Sequence, residues 1–223
     1  MTSATNEHDQ VENEGQSSIT NIIGNGKIAT DVKQALNGRS IVFVGIMGVG
    51  KSTVGRRVAR LLNMEFVDAD TEIELAADLS VSEIFEKFGE PYFRTGERKV
   101  IERVLGQGQQ VLATGGGAFM DPETRNSIAN KAVSLWLDAD IDLVMQRVLR
   151  RKTRPLLQNS NPRKVIEDLM ETRNPIYAKA DCRFESHDVS RDIIAAEIIQ
   201  MLNQKLVEIP ASSGEQTNLQ ESK

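Results

Sequence analysis

The segment Gly45-Ile46-Met47-Gly48-Val49-Gly50-Lys51-Ser52-Thr53 matches the spacing G-x-x-x-x-G-K-[ST] in full. Glycines in such a run let the backbone curl, so that successive N–H groups point at phosphate oxygens. The pattern from Val54 to Leu62 predicts a helix, whose N-terminus adds its partial positive charge. Lys51 is spaced to bridge the β- and γ-phosphates of a nucleotide, and the Ser52 hydroxyl to coordinate Mg²⁺. A glycine turn with no ligand is the plain alternative. An apolar strand before the loop and a helix after it argue against that.

A phosphate loop alone does not separate kinases from other nucleotide-binding proteins. Further residues with chemical potential follow other apolar runs. Asp68-Ala69-Asp70 comes first. Alternate residues of an extended segment point opposite ways, so different roles are expected for the two carboxylates. Asp68 suits a Mg²⁺ ion held through its waters, and Asp70 suits a hydroxyl whose proton must be removed. A helix-capping pair is the alternative. Next stands Gly115-Gly116-Gly117, where a ligand could lie directly on the backbone, or the chain merely turn tightly. Most P-loop ATPases and GTPases carry an apolar strand ending in Asp here, and its absence counts against those classes. Arg94 and Arg173 are of the type that holds a carboxylate by two parallel hydrogen bonds, although singly each reads as a solvated surface residue. Finally, Arg150-Arg151-Lys152-Thr153-Arg154-Pro155-Leu156-Leu157 interrupts two helical patterns. A basic loop there resembles a lid that would bring charge to the transferring phosphoryl group and exclude water. A solvated linker is the alternative, and a nucleic-acid patch a third and weaker one.

The elements that must position these residues are legible as alternation. Apolar stretches at Ile41–Val44, Glu65–Val67, Gln110–Ala113, Val133–Leu137 and Cys182–Glu185 predict strands, with helical patterns between them. Ser80 and Glu83 have capping-box spacing, and Asp121-Pro122 and Asn161-Pro162 each place a capping side chain before a first-turn proline. The fold class is therefore α/β, a parallel sheet with helices on both faces. Ligands in such sheets sit beyond the carboxyl ends of the strands, where the residues above are found.

Composition sets the outer limits. The chain has 223 residues and a net charge of -5, which gives no footprint for nucleic acid. No apolar run is long enough to span a bilayer. The single cysteine, Cys182, and an acidic leader without Lys or Arg before Lys27 predict a cytoplasmic location. Three regions are expected: an extension over 1–38, largely disordered and with residues 1–26 dispensable, a folded domain over 39–207, and a polar tail over 208–223. Ile28, Val32, Ala35 and Leu36 have helical spacing, so a short docking helix inside the extension is a further option.

Taken together, the phosphate loop, Asp68-Ala69-Asp70, Phe93-Arg94-x-x-Glu97, Gly115-Gly116-Gly117, Arg154-Pro155-Leu156-Leu157 and Arg173-Asn174-Pro175-Ile176-Tyr177 resemble the shikimate kinase family over residues 41 to 200. The resemblance implies a three-layer P-loop kinase fold with a five-stranded parallel sheet in the order 2-3-1-4-5 and a lid loop. It implies phosphoryl transfer from ATP, with Mg²⁺, to the 3-hydroxyl of shikimate. Gly48, Val49, Gly50, Lys51, Ser52, Thr53, Arg147 and Arg154 would bind ATP, with Arg147 packed on the adenine and Arg154 serving as the lid arginine. Asp70 would contact the reacting hydroxyl, Arg94 and Arg173 the carboxylate, and Gly115, Gly116 and Gly117 the ring. Phe85 and Phe93 would line the pocket, and Glu97 would orient Arg94. Asp70, Lys51 and Arg154 would be catalytic, and Ser52 and Asp68 (through water) would serve the metal. A monomer acting on ATP and shikimate, with neither nucleic acid nor membrane as partner, is expected. The resemblance loosens at His187 to Ser190, after the last strand, and names no residue there. A gluconate-type kinase and a binding protein that has lost catalysis are the competing readings.

Overall fold

The computed structural model describes residues 26–149 and 161–208. The expected lid, including Arg150, Arg154 and Leu157, and both tails lie outside the described residues. So does most of the extension.

Five parallel strands form one sheet: β1 Ser40–Val44, β2 Glu65–Asp68, β3 Gln110–Ala113, β4 Ala132–Ala139 and β5 Cys182–Ser186. Their order is β2-β3-β1-β4-β5. Every residue of β1, β3 and β4 is buried, whereas the edge strands β2 and β5 expose part of one face. That is the pattern of parallel strands covered on both sides by helices, which read as continuous apolar runs. Register pairs Ile41 with Val111 on one flank of β1 and with Val133 on the other.

The helices are α1 Lys27–Ala35, α2 Lys51–Leu61, α3 Ala69–Ala77, α4 Val81–Leu105, α5 Pro122–Lys131, α6 Ile141–Leu149, α7 Pro162–Tyr177 and α8 Arg191–Asn203. Helices α1 and α2 both pack on α8, α3 packs on α4, and α6 packs on α7. The start signals act as expected: Ser80 and Glu83 close a capping box, and Asp121 and Asn161 accept from Glu123 N and Arg163 N. Gly89, at φ 79°, breaks α4 in two, and Pro91 sits in the first turn of the second half. Arg94 and Glu97 therefore lie near the start of a fresh helical segment.

The described end of the extension, residues 26–38, takes the option of a docking helix. Val32 and Leu36 are fully buried, Lys33 Nζ donates to Asn63 O at 2.6 Å, and Gln109 Nε2 donates to Lys33 O at 3.0 Å. Helix α1 therefore docks, and the folded part reaches back to Lys27, ahead of the boundary expected at 39. No helix among the described residues is long and apolar enough to cross a membrane.

The strand order places β1 where the sheet changes direction, with β3 and β2 on one side and β4 and β5 on the other. A crevice opens at the carboxyl end of such a switch strand. The phosphate loop leaves β1 there, with the triple glycine beside it after β3.

Candidate active site

A cleft of about 690 Å³ opens at these strand ends. It collects Gly48, Gly50, Lys51, Ser52 and Thr53 from the phosphate loop, Asp68 and Asp70, Phe85, Phe93 and Arg94, Gly115 to Gly117, Arg147 and Arg173. Of the described residues expected to bind, Val49 alone does not line it. Its side chain is buried in the core and its carbonyl accepts from Arg147 Nη1 at 2.7 Å.

The phosphate wall is built from backbone. Gly50, at φ 109°, starts α2 with no side-chain cap, so the first-turn N–H groups remain for a ligand. Lys51 is 8% exposed and folds its ammonium onto the loop, donating to Gly45 O at 2.7 Å and Ile46 O at 3.0 Å. Behind the loop stands Trp136, whose ring edge would lie 3.4 Å from a side chain at Gly45 and whose centroid is 6.0 Å from that of Tyr177. Arg147 ties the loop to the end of β5 and the residue after it, reaching Ser186 Oγ at 3.2 Å and His187 O at 3.4 Å as well as Val49 O. Burial pulls its pKa down to about 10, and nearby Arg191 adds to the shift.

The opposite wall is built from side chains. The chain does not stay extended through Asp70, as the sequence suggested. Asp68 caps α3, its Oδ1 accepting from Asp70 N at 3.1 Å, so the helix begins at Ala69. Both carboxylates therefore face one cleft rather than opposite sides. Burial raises the Asp70 pKa, Asp68 raises it further, and Lys51 and Arg94 pull against them. A raised carboxyl is a better proton acceptor once ionised.

Arg94 Nη1 donates to Glu97 Oε2 at 2.7 Å, and Nη2 donates to Glu90 Oε1 at 2.9 Å. Glu97 is 2% exposed, and burial raises its pKa against the pull of Arg94. Its Oε1 has no hydrogen-bond partner among the described residues. The triple glycine serves this network. A Cβ at Gly115 would stand 2.6 Å from Glu97 Oε1 and 3.0 Å from Asp70 Oδ1, and one at Gly117 would stand 2.5 Å from both terminal nitrogens of Arg94. Part of the space the glycines leave is thus filled by the protein's own charges. Gly116 O accepts from Arg173 Nη1 at 3.1 Å and from the Tyr177 hydroxyl. Phe85 and Phe93, with centroids 4.6 Å apart, form an apolar patch on the same wall.

Reading along the chain misses several residues of this cleft. Arg191, in the first turn of α8, lines it, and only its position just past the end of β5 could have signalled this. Thr114 and Glu74 line it too.

The comparisons with known proteins point to one family. A family model described as shikimate kinase matches residues 47–203. A shikimate kinase of Brucella canis is 50% identical over 182 residues, 82% of this chain and 91% of that protein. One of Bradyrhizobium diazoefficiens is 55% identical over 176 residues, 79% of this chain and 85% of that protein. The structure of a shikimate kinase from Acinetobacter baumannii in complex with shikimate superposes with a TM-score of 0.74 at 37% identity, covering 79% of this chain and 99% of that one. A gluconokinase from Sinorhizobium meliloti, at 14% identity, 77% and 95% coverage and a TM-score of 0.51, shares the fold alone. The chain belongs to the shikimate kinase family.

Proposed function

We propose that the two walls of the cleft perform the family's reaction in the following way. ATP lays its phosphates along Gly48 to Thr53, and shikimate presents its 3-hydroxyl to Asp70. The hydroxyl oxygen bonds to the γ-phosphorus as the bond to the β-phosphate bridge oxygen breaks. ADP leaves, and the hydroxyl proton passes to Asp70. Lys51 and the helix N-terminus meet the negative charge on the transferring group. Arg94 and Arg173 grip the carboxylate, with Glu97 fixing Arg94, while Phe85 and Phe93 cover the apolar part of the ring. Arg147 offers a planar face to the adenine, and Arg154 supplies a cation from the lid segment.

Mg²⁺ fits the donors present. The Ser52 hydroxyl and the Asp68 carboxylate lie in the same cleft, and no cluster of three or more His, Cys, Asp or Glu exists among the described residues. A few hard oxygens suit an ion that keeps most of its waters and takes phosphate as ligand, with Asp68 acting through water. Bound there, the ion would neutralise phosphate charge. One chain furnishes all the described walls, so a monomer suffices, and a cytoplasmic supply of ATP suits the reaction.

The observation that carries this proposal is the meeting of Asp70, Arg94 and Arg173 with the phosphate loop in a single cleft. ADP release measured in parallel with shikimate, gluconate and a nucleoside monophosphate tests it. Turnover with shikimate alone is the expected outcome. Turnover with gluconate and none with shikimate would refute the acid assignment.

A further inference from the structure

We infer that Tyr177 is a positioning residue for substrate binding: it fixes the Gly116 peptide and, through it, the carboxylate-holding head of Arg173. This rests on the role proposed for Arg173. Arg173 and Tyr177 occupy the last turn of α7 at a spacing of four, so they share one face of the helix. Both donate to one acceptor, the carbonyl of Gly116. A carbonyl oxygen has two lone pairs, and these two donors fill them.

The peptide they hold also lies against the phosphate loop. A Cβ at Gly116 would stand 3.2 Å from Met47 N and 3.7 Å from Gly45 O, both in the phosphate loop. The glycine run is thus wedged between α7 and the phosphate loop. Tyr177 itself cannot drift. Its ring is 1% exposed and stands 6.0 Å from the Trp136 ring and 6.5 Å from that of Phe119. Burial pushes its hydroxyl pKa up to about 12, so it remains a donor over any working pH.

An ordinary core tyrosine would need only some buried carbonyl to satisfy its hydroxyl. This one chooses the carbonyl that also holds a substrate arginine. Without the hydroxyl, the Gly116 carbonyl would keep one donor, and that donor is the side chain the incoming carboxylate must recruit. Arg173 would then divide its donors between a buried carbonyl and the ligand. With Tyr177 in place, the carbonyl stays satisfied and the guanidinium can turn its remaining N–H groups to the carboxylate.

The test is Tyr177→Phe, which keeps the ring and its packing and removes only the hydroxyl. Shikimate KM in steady-state assays, and shikimate Kd by calorimetry on the nucleotide-free protein, should both rise roughly three- to tenfold, the size expected for one neutral hydrogen bond. ATP KM should stay level and kcat should change by less than about twofold. Because both residues act at one carbonyl, Tyr177→Phe should cost less in an Arg173→Lys background than in the native protein. Unchanged shikimate binding in Tyr177→Phe, an equal rise in both KM values, or full additivity with Arg173→Lys would each overturn the inference. If Arg173→Lys itself left shikimate binding intact, the role of Arg173 would fail, and the inference with it. If only Tyr177→Phe were silent, that role would stand and the inference alone would fail.

Discussion

The two walls of the cleft solve different recognition problems with different materials. The phosphate wall comes from one contiguous stretch, Gly45 to Thr53, and most of it is backbone. The acid wall draws Asp70 from α3, Arg94 and Glu97 from α4, the glycines after β3 and Arg173 from α7. A polyphosphate carries several charges spread over many oxygens, so a row of N–H groups and one ammonium suffices. A small acid carries one carboxylate, and its recognition requires cations at fixed points. A cation held in a half-buried place needs a counter-charge, hence Glu97, and the counter-charge needs a gap in the backbone, hence Gly115. Local curl makes the first wall. The second exists only where separate segments agree.

This contrast can be broken from either side. Lys51→Ala strikes the phosphate wall at the one cation of its loop, and kcat should fall by about 10²- to 10³-fold, with shikimate binding to the nucleotide-free protein nearly unchanged. A variant that kept most of its turnover would mean that backbone alone is enough. Asp70→Asn should lower turnover by about 10²-fold or more and at the same time raise thermal stability at neutral pH. The sign follows from its raised pKa. The folded state holds this proton to higher pH than the unfolded chain does, so ionisation at Asp70 weakens the fold as pH climbs through that window. The melting advantage of the variant should therefore shrink to nothing as pH falls below the ordinary carboxylate range. A variant that melts lower than the native protein at pH 7 would contradict the buried-carboxylate account.

Gly117→Ala places a methyl group against both terminal nitrogens of Arg94. The guanidinium can swing away, so the fold should survive, but shikimate KM should rise by about tenfold with ATP KM level. Equal changes in both would show that the two walls do not act separately. The smallest effect belongs outside the cleft. Ser80→Ala removes the cap of α4, and a stability loss of about 1 kcal/mol by chemical denaturation is expected, with neither KM altered.

What the sequence revealed divides along the same line. The strands were legible to within two residues because continuous apolar runs are what a doubly covered parallel sheet demands. The phosphate loop was legible because its chemistry is contiguous. For the acid wall, residue types could be listed, but their mutual placement could not. Asp68 and Asp70 were expected to diverge, yet a single cap turned the chain into a helix and put both in one space. Helix α1 was weakly written because its core contribution rests on a few side chains such as Val32 and Leu36. Tyr177 was legible as part of a motif, but its role was not, because its acceptor at Gly116 lies far off in sequence; Arg191 carried no local pattern at all. Family likeness, rather than local pattern, supplied the name of the acid.

One further consequence comes from Trp136, the only tryptophan in the chain. Its indole edge abuts Gly45 of the phosphate loop, its face neighbours Tyr177 behind the glycine run, and Arg183 stands 4.8 Å from its centre. Indole emission responds to small changes in nearby charge and dipole. The molecule therefore carries one native fluorophore between the phosphate loop and Tyr177, and a change in its emission on adding ATP or shikimate is expected without attaching a dye.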